Sequence, residues 1–165
     1  MTPQSIIGIM GPGDNALESE RQLAHALGKA VAQQSWVVLT GGRPAGVMAA
    51  ASQGAASVGG TVIGILPDSE GTNTAIGVTL PIVTGMGHAR NVINVLSSHG
   101  LIACGLGLGT VSEIALALKA QKPVVMMPHN FLAQDFFEHL APGQFYMTDD
   151  VKLCIEYLKS VLPNQ

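Results

Sequence analysis

The chain has 165 residues, with 8 Lys or Arg against 11 Asp or Glu and a formal net charge of −3 at pH 7. Because proteins that hold nucleic acid need surplus cationic side chains for the phosphate backbone, this balance argues against a nucleic-acid partner. Only 12 % of the residues are charged and 47 % are hydrophobic, which predicts apolar surface that is covered in a homo-oligomer.

A chain of this length predicts one domain, residues 1–165. No stretch approaches ~18 consecutive apolar residues, and residues 1–4 lack a basic segment, so neither a membrane span nor a secretory signal is predicted. Cys104 and Cys154 lie in apolar surroundings without metal-ligand spacing. They therefore predict buried reduced thiols, no metal site, and the cytoplasm or another reducing compartment.

Short apolar runs along the chain predict β-strands. These strands are predicted over residues 5–10, 36–40, 61–66, 79–84, 100–104 and 123–127. The runs are apolar throughout and do not alternate with polar residues, which is typical of strands buried on both faces of a parallel sheet.

Helical patterns alternate with these strands. Helices are predicted over residues 17–31, 47–57, 111–120 and 149–162, with a further one that carries residues 90 and 91. Asp14 or Asn15 can cap the first helix, whereas residues 131–143 are predicted to be irregular. The alternation predicts an α/β fold, a doubly wound and mainly parallel sheet flanked by helices on both faces.

Glycine clusters follow the carboxyl ends of four strands. They lie at residues 11–13, 41–46, 85–87 and 105–109. Since ligands of parallel sheets bind outside the carboxyl ends of the strands, at the switch point, the four turns are expected to converge on one rim. The polar loop at residues 67–74 is either a flap over that rim or a solvated connection.

The cluster at residues 105–109 carries the clearest chemical signal, because it leads through Thr110 into a helix. The first amides of a helix lack partners and carry partial positive charge, and glycine lets a phosphate approach the backbone. No Lys stands beside Thr110 as a Walker loop requires, and the spacing is not that of a dinucleotide fingerprint. The turn therefore predicts a ligand with a phosphate or similar oxyanion; the alternative is a glycine turn that binds nothing.

Polar side chains near the rim supply candidate ligand contacts. Arg43 and Arg90 each follow a glycine turn and can grip an oxyanion, with ordinary surface arginines as the alternative. Asn91 can bond a ring or sugar edge. Glu113 is expected in the first turn of its helix, pointing to the same mouth or tying the loop to Arg90 by a salt bridge.

Residues 105–113 resemble the Pro-Gly-Gly-x-Gly-Thr-x-x-Glu signature of the LONELY GUY and "lysine decarboxylase-like" superfamily of Rossmann-type proteins. Gly105 takes the place of the Pro, Leu106 takes the place of the first Gly, and Arg90 matches the arginine of the preceding helix. The Ala-Arg-Asn start, the Gly-x-Gly-Thr-x-Ser-Glu-Ile-Ala-Leu-Ala run and the Lys-Pro-Val-Val strand are most similar to the molybdenum cofactor carrier proteins. The resemblance covers nearly the whole chain.

This resemblance implies a Rossmann-like fold and a non-catalytic carrier that binds, protects and transfers the molybdenum cofactor, molybdopterin with molybdenum. The cofactor is cargo, anionic at its phosphate and at its molybdenum end, and no protein ligand to the metal is implied. A cytoplasmic homotetramer and partner enzymes that synthesise or accept the cofactor are expected. The expected cofactor-binding residues are Gly11, Gly13, Gly41, Gly42, Arg43, Arg90, Asn91, Gly107, Gly109, Thr110 and Glu113.

Two other functions stay open at this point. In the phosphoribohydrolases of the superfamily, the arginine and glutamate that match Arg90 and Glu113 cleave the N-glycosidic bond of nucleoside 5′-monophosphates. A second acid to assist the leaving base is not evident, and Asp14, Asp68 and Glu70 are only candidates. A nucleotide-binding protein without turnover is the third hypothesis, which the low charge and the small-residue helices favour.

Overall fold

The computed structural model describes residues 4–128 and 130–162. The strands within these ranges are β1 (Ile6–Met10), β2 (Val37–Thr40), β3 (Val62–Leu66), β4 (Leu80–Val83), β5 (Gly100–Cys104), β6 (Val124–Met127) and β7 (Tyr146–Met147). The helices are α1 (Glu18–Ala32), α2 (Gly46–Ala56), α3 (Arg90–Ser97), α4 (Leu108–Lys119), α5 (Phe131–Leu140) and α6 (Val151–Val161). The single-domain prediction for residues 1–165 stays a prediction, and residues 1–3, 129 and 163–165 lie outside the described ranges.

The strands form one sheet in the order β4-β3-β2-β1-β5-β6-β7, and every described pair is parallel. The predicted Rossmann-like, doubly wound α/β fold is confirmed. From β1 the chain builds outward through β2, β3 and β4, and then returns to place β5 on the other side of β1. The topological switch point, where such sheets bind ligands, therefore lies between β1 and β5.

Each face of the sheet is covered by a helical layer with its own apolar core. Leu27 of α1, Ala51 of α2 and Leu158 of α6 belong to one core. Val95 of α3 and Phe137 of α5 belong to the other, together with buried residues of α4. Side chains of the inner strands alternate between these two cores, so those strands are apolar throughout, as the sequence pattern indicates. The prediction of burial on both faces is wrong for β4, an edge strand whose four residues are exposed. No helix in the described ranges is long and apolar enough to cross a membrane.

The prediction that residues 131–143 are irregular is wrong. They contain α5, whose first turn is capped by the Asn130 side chain accepting from the amide of Ala133 at 3.0 Å. This helix buries Ala133 and Phe137 but leaves Leu132 and Phe136 exposed. Apolar residues on both faces hide the 3.6-residue period on which the sequence prediction depends. The short strand β7 that follows was likewise not predicted.

The predicted cap of α1 by Asp14 or Asn15 is also wrong. The helix begins at Glu18 with Leu17 as its N-cap, and the Glu20 carboxylate accepts from the Leu17 amide at 2.8 Å. An acid inside the first turn thus satisfies the free amide at the helix start. The predicted start of the last helix is confirmed, because the Asp150 carboxylate caps α6.

Candidate functional site

A cleft of about 520 Å³ opens at the carboxyl edge of the sheet, at the switch point between β1 and β5. One wall is the loop of residues 11–15 after β1, and the other is the turn of residues 106–110 that starts α4. Arg43, from the loop after β2, completes the rim. Three of the four glycine clusters therefore meet as predicted. The fourth, residues 85–87, follows the outermost strand β4 and does not line this cleft.

The walls approach each other closely because the contact positions are glycines. A Cβ at Gly11 would overlap the carbonyl oxygen of Cys104 at the end of β5. The Val47 amide, in the first turn of α2, donates to the carbonyl of Pro12 at 3.0 Å. The loop after β1 is thereby held between β5 and α2, which fixes the floor of the cleft.

Helix α4 begins earlier than the sequence indicates, and this relocates two predicted residues. Gly107 is the N-cap and Leu108 the first helical residue, so that Gly109 and Thr110 lie inside the first turn. Thr110 is buried. Glu113 consequently lies in the second turn, and the prediction of a first-turn acid at the mouth is wrong. The first amides of a helix lack intrahelical partners, and the residues that carry them in α4 line the cleft, as an anion site requires.

Glu113 is buried, lies outside the cleft lining and is held by a residue that the sequence did not single out. Its Oε1 accepts from the Asn94 Nδ2 at 2.8 Å, and Asn94 on α3 is fully buried. The salt bridge to Arg90 expected as one alternative is absent from the ion pairs of the described residues. The available signal for Asn94 was its position one helical turn after Arg90, on the same face of α3.

Arg90 is a buried cation without a carboxylate partner within ion-pair distance in the described ranges. It is 8 % exposed, and its Nε has no hydrogen-bond partner. Its guanidinium lies over Gly41 at the end of β2, where a Cβ would stand 2.7 and 2.8 Å from the two terminal nitrogens. Burial is the largest cause that lowers the pKa of Arg90; the charge of Glu113 raises it and that of Arg43 lowers it. A desolvated, unpaired guanidinium is costly, and a bound anion would compensate it.

Arg43 and Asn91 each make a side-chain hydrogen bond that fixes their position near the cleft. An Arg43 terminal nitrogen donates to the Asp14 carboxylate at 3.2 Å across the rim. The Asn91 amide donates to the Ser112 hydroxyl at 3.0 Å, and that hydroxyl bonds the Gly109 carbonyl at 2.6 Å. Asn91 thus links the start of α3 to the first turns of α4.

The predicted site residues fall into two adjoining groups on one edge of the sheet. The cleft itself holds Gly11, Gly13, Arg43, Gly107, Gly109 and Thr110. Gly41 and Gly42 follow β2 beside Arg43, and the Arg90 guanidinium lies over Gly41. Asn91 on α3 contacts α4, and Glu113 is a residue of α4. Their roles in binding stay predictions. Seven residues that line the cleft were not among the predicted binding residues, namely Pro12, Asp14, Asn15, Leu17, Glu20, Leu106 and Leu108.

The two cysteines are free and buried, as predicted. Burial raises the pKa of each thiol to about 12, so both are protonated and unreactive at neutral pH. Within the described ranges no group of three or more His, Cys, Asp or Glu side chains could hold a metal ion.

Replacing Glu113 by glutamine is expected to flatten the pH dependence of stability. Burial, the largest cause, raises the pKa of Glu113 to about 7 against 4.5 for an ordinary glutamate. Between those values the folded state binds more protons than the unfolded state, so the free energy of unfolding falls as pH rises. From pH 5 to 8 the wild type should lose up to roughly 3 kcal/mol relative to Glu113→Gln. Urea unfolding at both pH values measures this difference.

The exposed Glu18, which pairs with Arg21 on the surface of α1, provides the control. Glu18→Gln should show the same stability profile as the wild type between pH 5 and 8. Parallel profiles for the wild type and Glu113→Gln would show that Glu113 keeps an ordinary pKa, contrary to its burial.

Comparison with known proteins adds independent information on this site. The sequence matches the SLOG cluster4 family over residues 4–154. The molybdenum cofactor binding protein of the phototrophic bacterium Rippkaea orientalis has 48 % identity and a TM-score of 0.95, with 98 % of this chain and 99 % of that chain covered. For the molybdenum cofactor carrier protein of Chlamydomonas reinhardtii the values are 45 %, 0.90, 96 % and 98 %. The resemblance to the carrier branch is confirmed.

A cytokinin riboside 5′-monophosphate phosphoribohydrolase of Rhodococcoides fascians is a more distant relative. It is 30 % identical, with 87 % of this chain and 79 % of that protein covered. The family model and this relative thus both support the superfamily assignment drawn from the motif of residues 105–113.

Proposed function

The chain belongs to the SLOG cluster4 family, and on that premise we propose that it binds the molybdenum cofactor and protects and transfers it without catalysing a reaction. The observation that carries this proposal is Arg90, a guanidinium 8 % exposed whose Nε lacks a partner. A buried cation at the mouth of a parallel sheet is suited to a strongly anionic ligand. Relatives at 45 and 48 % identity that bind or carry this cofactor support the choice of ligand.

The two groups of site residues suit the two anionic ends of the cofactor. We expect the phosphate at the start of α4, where Gly107, Gly109 and Thr110 present the first helical amides opposite Gly11 and Gly13. We expect the molybdenum end beside Arg90, whose terminal nitrogens lie over Gly41. Arg43 lies between the two groups and can contact either end. Asn91 borders the ring between them.

Glu113 has a supporting role in this proposal. Its carboxylate is bonded to Asn94 and lies beneath Arg90, close enough for their charges to interact. Because burial raises the pKa of Glu113 to about 7, its carboxyl is only partly ionised at neutral pH, and this partial charge offsets a fraction of the cost of burying the guanidinium without neutralising it. A full salt bridge would occupy the nitrogens that the anion needs.

The phosphoribohydrolase is the second candidate, favoured by the relative at 30 % identity and by the matches at Arg90 and Glu113. Glycosidases generally need two acidic groups at the scissile bond. Here Asp14 is paired with Arg43, and the Asp68 carboxylate accepts from two amides of its own loop. Glu70 follows in that same loop, away from the cleft lining. None of these three acids is therefore placed for the reaction, and Glu20, which does line the cleft, accepts from the Leu17 amide at 2.8 Å.

Release of free base from nucleoside 5′-monophosphates distinguishes these functions. A carrier should release no base from AMP or CMP above the rate in buffer, because Glu113 is buried and bonded. A hydrolase would release base at a rate that Glu113→Ala abolishes, which would contradict the proposal. A nucleotide-binding protein without turnover would retain AMP through gel filtration and release nothing. Chromatography of the free base, with heat-treated protein as control, measures the outcome.

We further propose a homotetramer in the cytoplasm that exchanges cargo with the enzymes that make or accept the cofactor. Apolar side chains of α5 support the assembly, since Leu132, Phe136 and Leu140 recur every four residues and are 83, 55 and 63 % exposed. A stripe of large apolar side chains marks an interaction surface more often than a solvated helix face. The two buried thiols are consistent with a reducing compartment.

A further inference from the structure

We propose that Leu17, Leu106 and Leu108 form an apolar collar that contacts the flat ring system of the bound ligand. The cleft would thereby select an oxyanion attached to a ring over the oxyanion alone. This inference rests on the proposed function. It places the uncharged ring system of the ligand in the same cleft as its phosphate.

The collar lies on the cleft itself. All three leucines line it, and they are 64, 37 and 93 % exposed. A single exposed leucine is ordinary on a protein surface, but three on the lining of one polar cleft concentrate apolar surface there. Covering those leucines with an apolar ligand surface would remove them from water, which favours binding.

The backbone that carries the collar is fixed. Leu17 is held at the start of α1 by its amide, which donates to Glu20. Leu106 lies between two anchored positions, since the Gly105 amide donates to the Met127 carbonyl at 2.7 Å and Gly107 caps α4. Leu108 is the first residue of that helix. Because the backbone at these positions is already ordered, little conformational entropy is lost when a ligand binds. The free energy gained by burying the leucines therefore contributes to the affinity.

The size of the cleft calls for more than an anion. Its volume is about 520 Å³, whereas a tetrahedral oxyanion occupies the space of roughly three or four waters, ~100 Å³. The remaining space is bounded by glycine backbone on the floor and by the leucines at the mouth. None of the described lining residues is aromatic. Pro12 and the three leucines are therefore the apolar side chains available to the face of a ring in this cleft.

The test compares Leu106→Ser and Leu108→Ser with the wild type, using the molybdenum cofactor and inorganic phosphate as separate probes. Leu108→Ser should weaken cofactor binding about five- to tenfold, because a large part of its side chain would be covered. Leu106→Ser, which exposes less surface, should weaken it about two- to threefold. Phosphate affinity, followed by amide chemical shifts in the first turn of α4, should stay unchanged in both variants.

Leu96→Ser is the matched control, because Leu96 is 61 % exposed near the end of α3, away from the cleft. It should bind both probes like the wild type. Wild-type cofactor affinity in Leu108→Ser would overturn the collar, and so would an equal loss for phosphate. A change of molar mass in light scattering would overturn it too, because a second copy would then cover the leucines.

The collar and the proposed function fail in different ways. If the wild type does not retain the cofactor, the proposed function fails while the collar is still testable. AMP, which also joins a phosphate to a flat ring, then replaces the cofactor as the probe. Equal AMP affinities in the wild type and Leu108→Ser would contradict the collar, whereas a five- to tenfold loss would support it.

Discussion

Replacing Arg90 by alanine is expected to lower the affinity for the molybdenum cofactor about 100-fold, roughly 3 kcal/mol. The guanidinium is buried, and its Nε lacks a protein partner. In the bound state its charge would meet the anion away from water, where charge-assisted hydrogen bonds are strongest. Anaerobic equilibrium dialysis with quantification of the oxidised pterin measures the affinity of the wild type and of Arg90→Ala.

The stability of Arg90→Ala should fall much less than its affinity for the cofactor. Because the unliganded protein bears the desolvation cost of an unpaired cation, removing that cation should change the free energy of unfolding by no more than about 1 kcal/mol. Arg21→Ala is the control, because Arg21 is paired with Glu18 on the surface and lies outside the cleft. An Arg90→Ala protein that folds normally and binds the cofactor like the wild type would contradict the assigned role.

Replacing Gly41 by alanine is expected to impair binding nearly as much, by about 30-fold, although no charge is removed. The new Cβ would stand 2.7 and 2.8 Å from the terminal nitrogens of Arg90 and 2.6 Å from the sulfur of Met48. These are the ends of flexible side chains, so the backbone can stay in place while the guanidinium moves off its position. A misplaced cation loses the aligned, paired hydrogen bonds on which its grip depends.

A double-mutant cycle distinguishes displacement of Arg90 from a general effect of the alanine. If Gly41→Ala acts by moving Arg90, the double variant Gly41→Ala/Arg90→Ala should bind no worse than Arg90→Ala alone. Thermal unfolding of each variant serves as the control for stability. Additive losses in the cycle would show that Gly41 contributes by a route that does not involve Arg90.

The sheet could be predicted from the sequence because its strands carry their signal locally. Continuous apolar runs located β1 to β6 to within about one residue, and glycine closes four of them. Strands buried on both faces need no alternation, so such runs are a direct signal. The start of α4 was harder to predict from the sequence. Gly107 and Gly109 both read as helix breakers, yet only Gly107 is the cap, and the helix tolerates Gly109. That shift of three residues moves Glu113 from the expected first turn of α4 to the second, where it is buried and does not line the cleft.

The state of Arg90 could not be predicted from its own neighbourhood in the sequence. Arg90 can be buried only because Gly41, which directly follows β2 and lies nearly fifty positions earlier, has no side chain where the guanidinium contacts it. The bond between Asn94 and Glu113 likewise requires α3 and α4 to lie side by side on one face of the sheet. Such groups become recognisable only when tertiary packing brings separate elements together.

Retention of the cofactor through gel filtration tests the carrier function most directly. The purified protein is mixed with molybdenum cofactor under anaerobic conditions and passed through a sizing column, and molybdenum and oxidised pterin are quantified in the protein peak. The proposed function predicts about one molybdenum and one pterin per subunit, and much smaller amounts of both with Arg90→Ala. A protein peak that contains neither molybdenum nor pterin would contradict it.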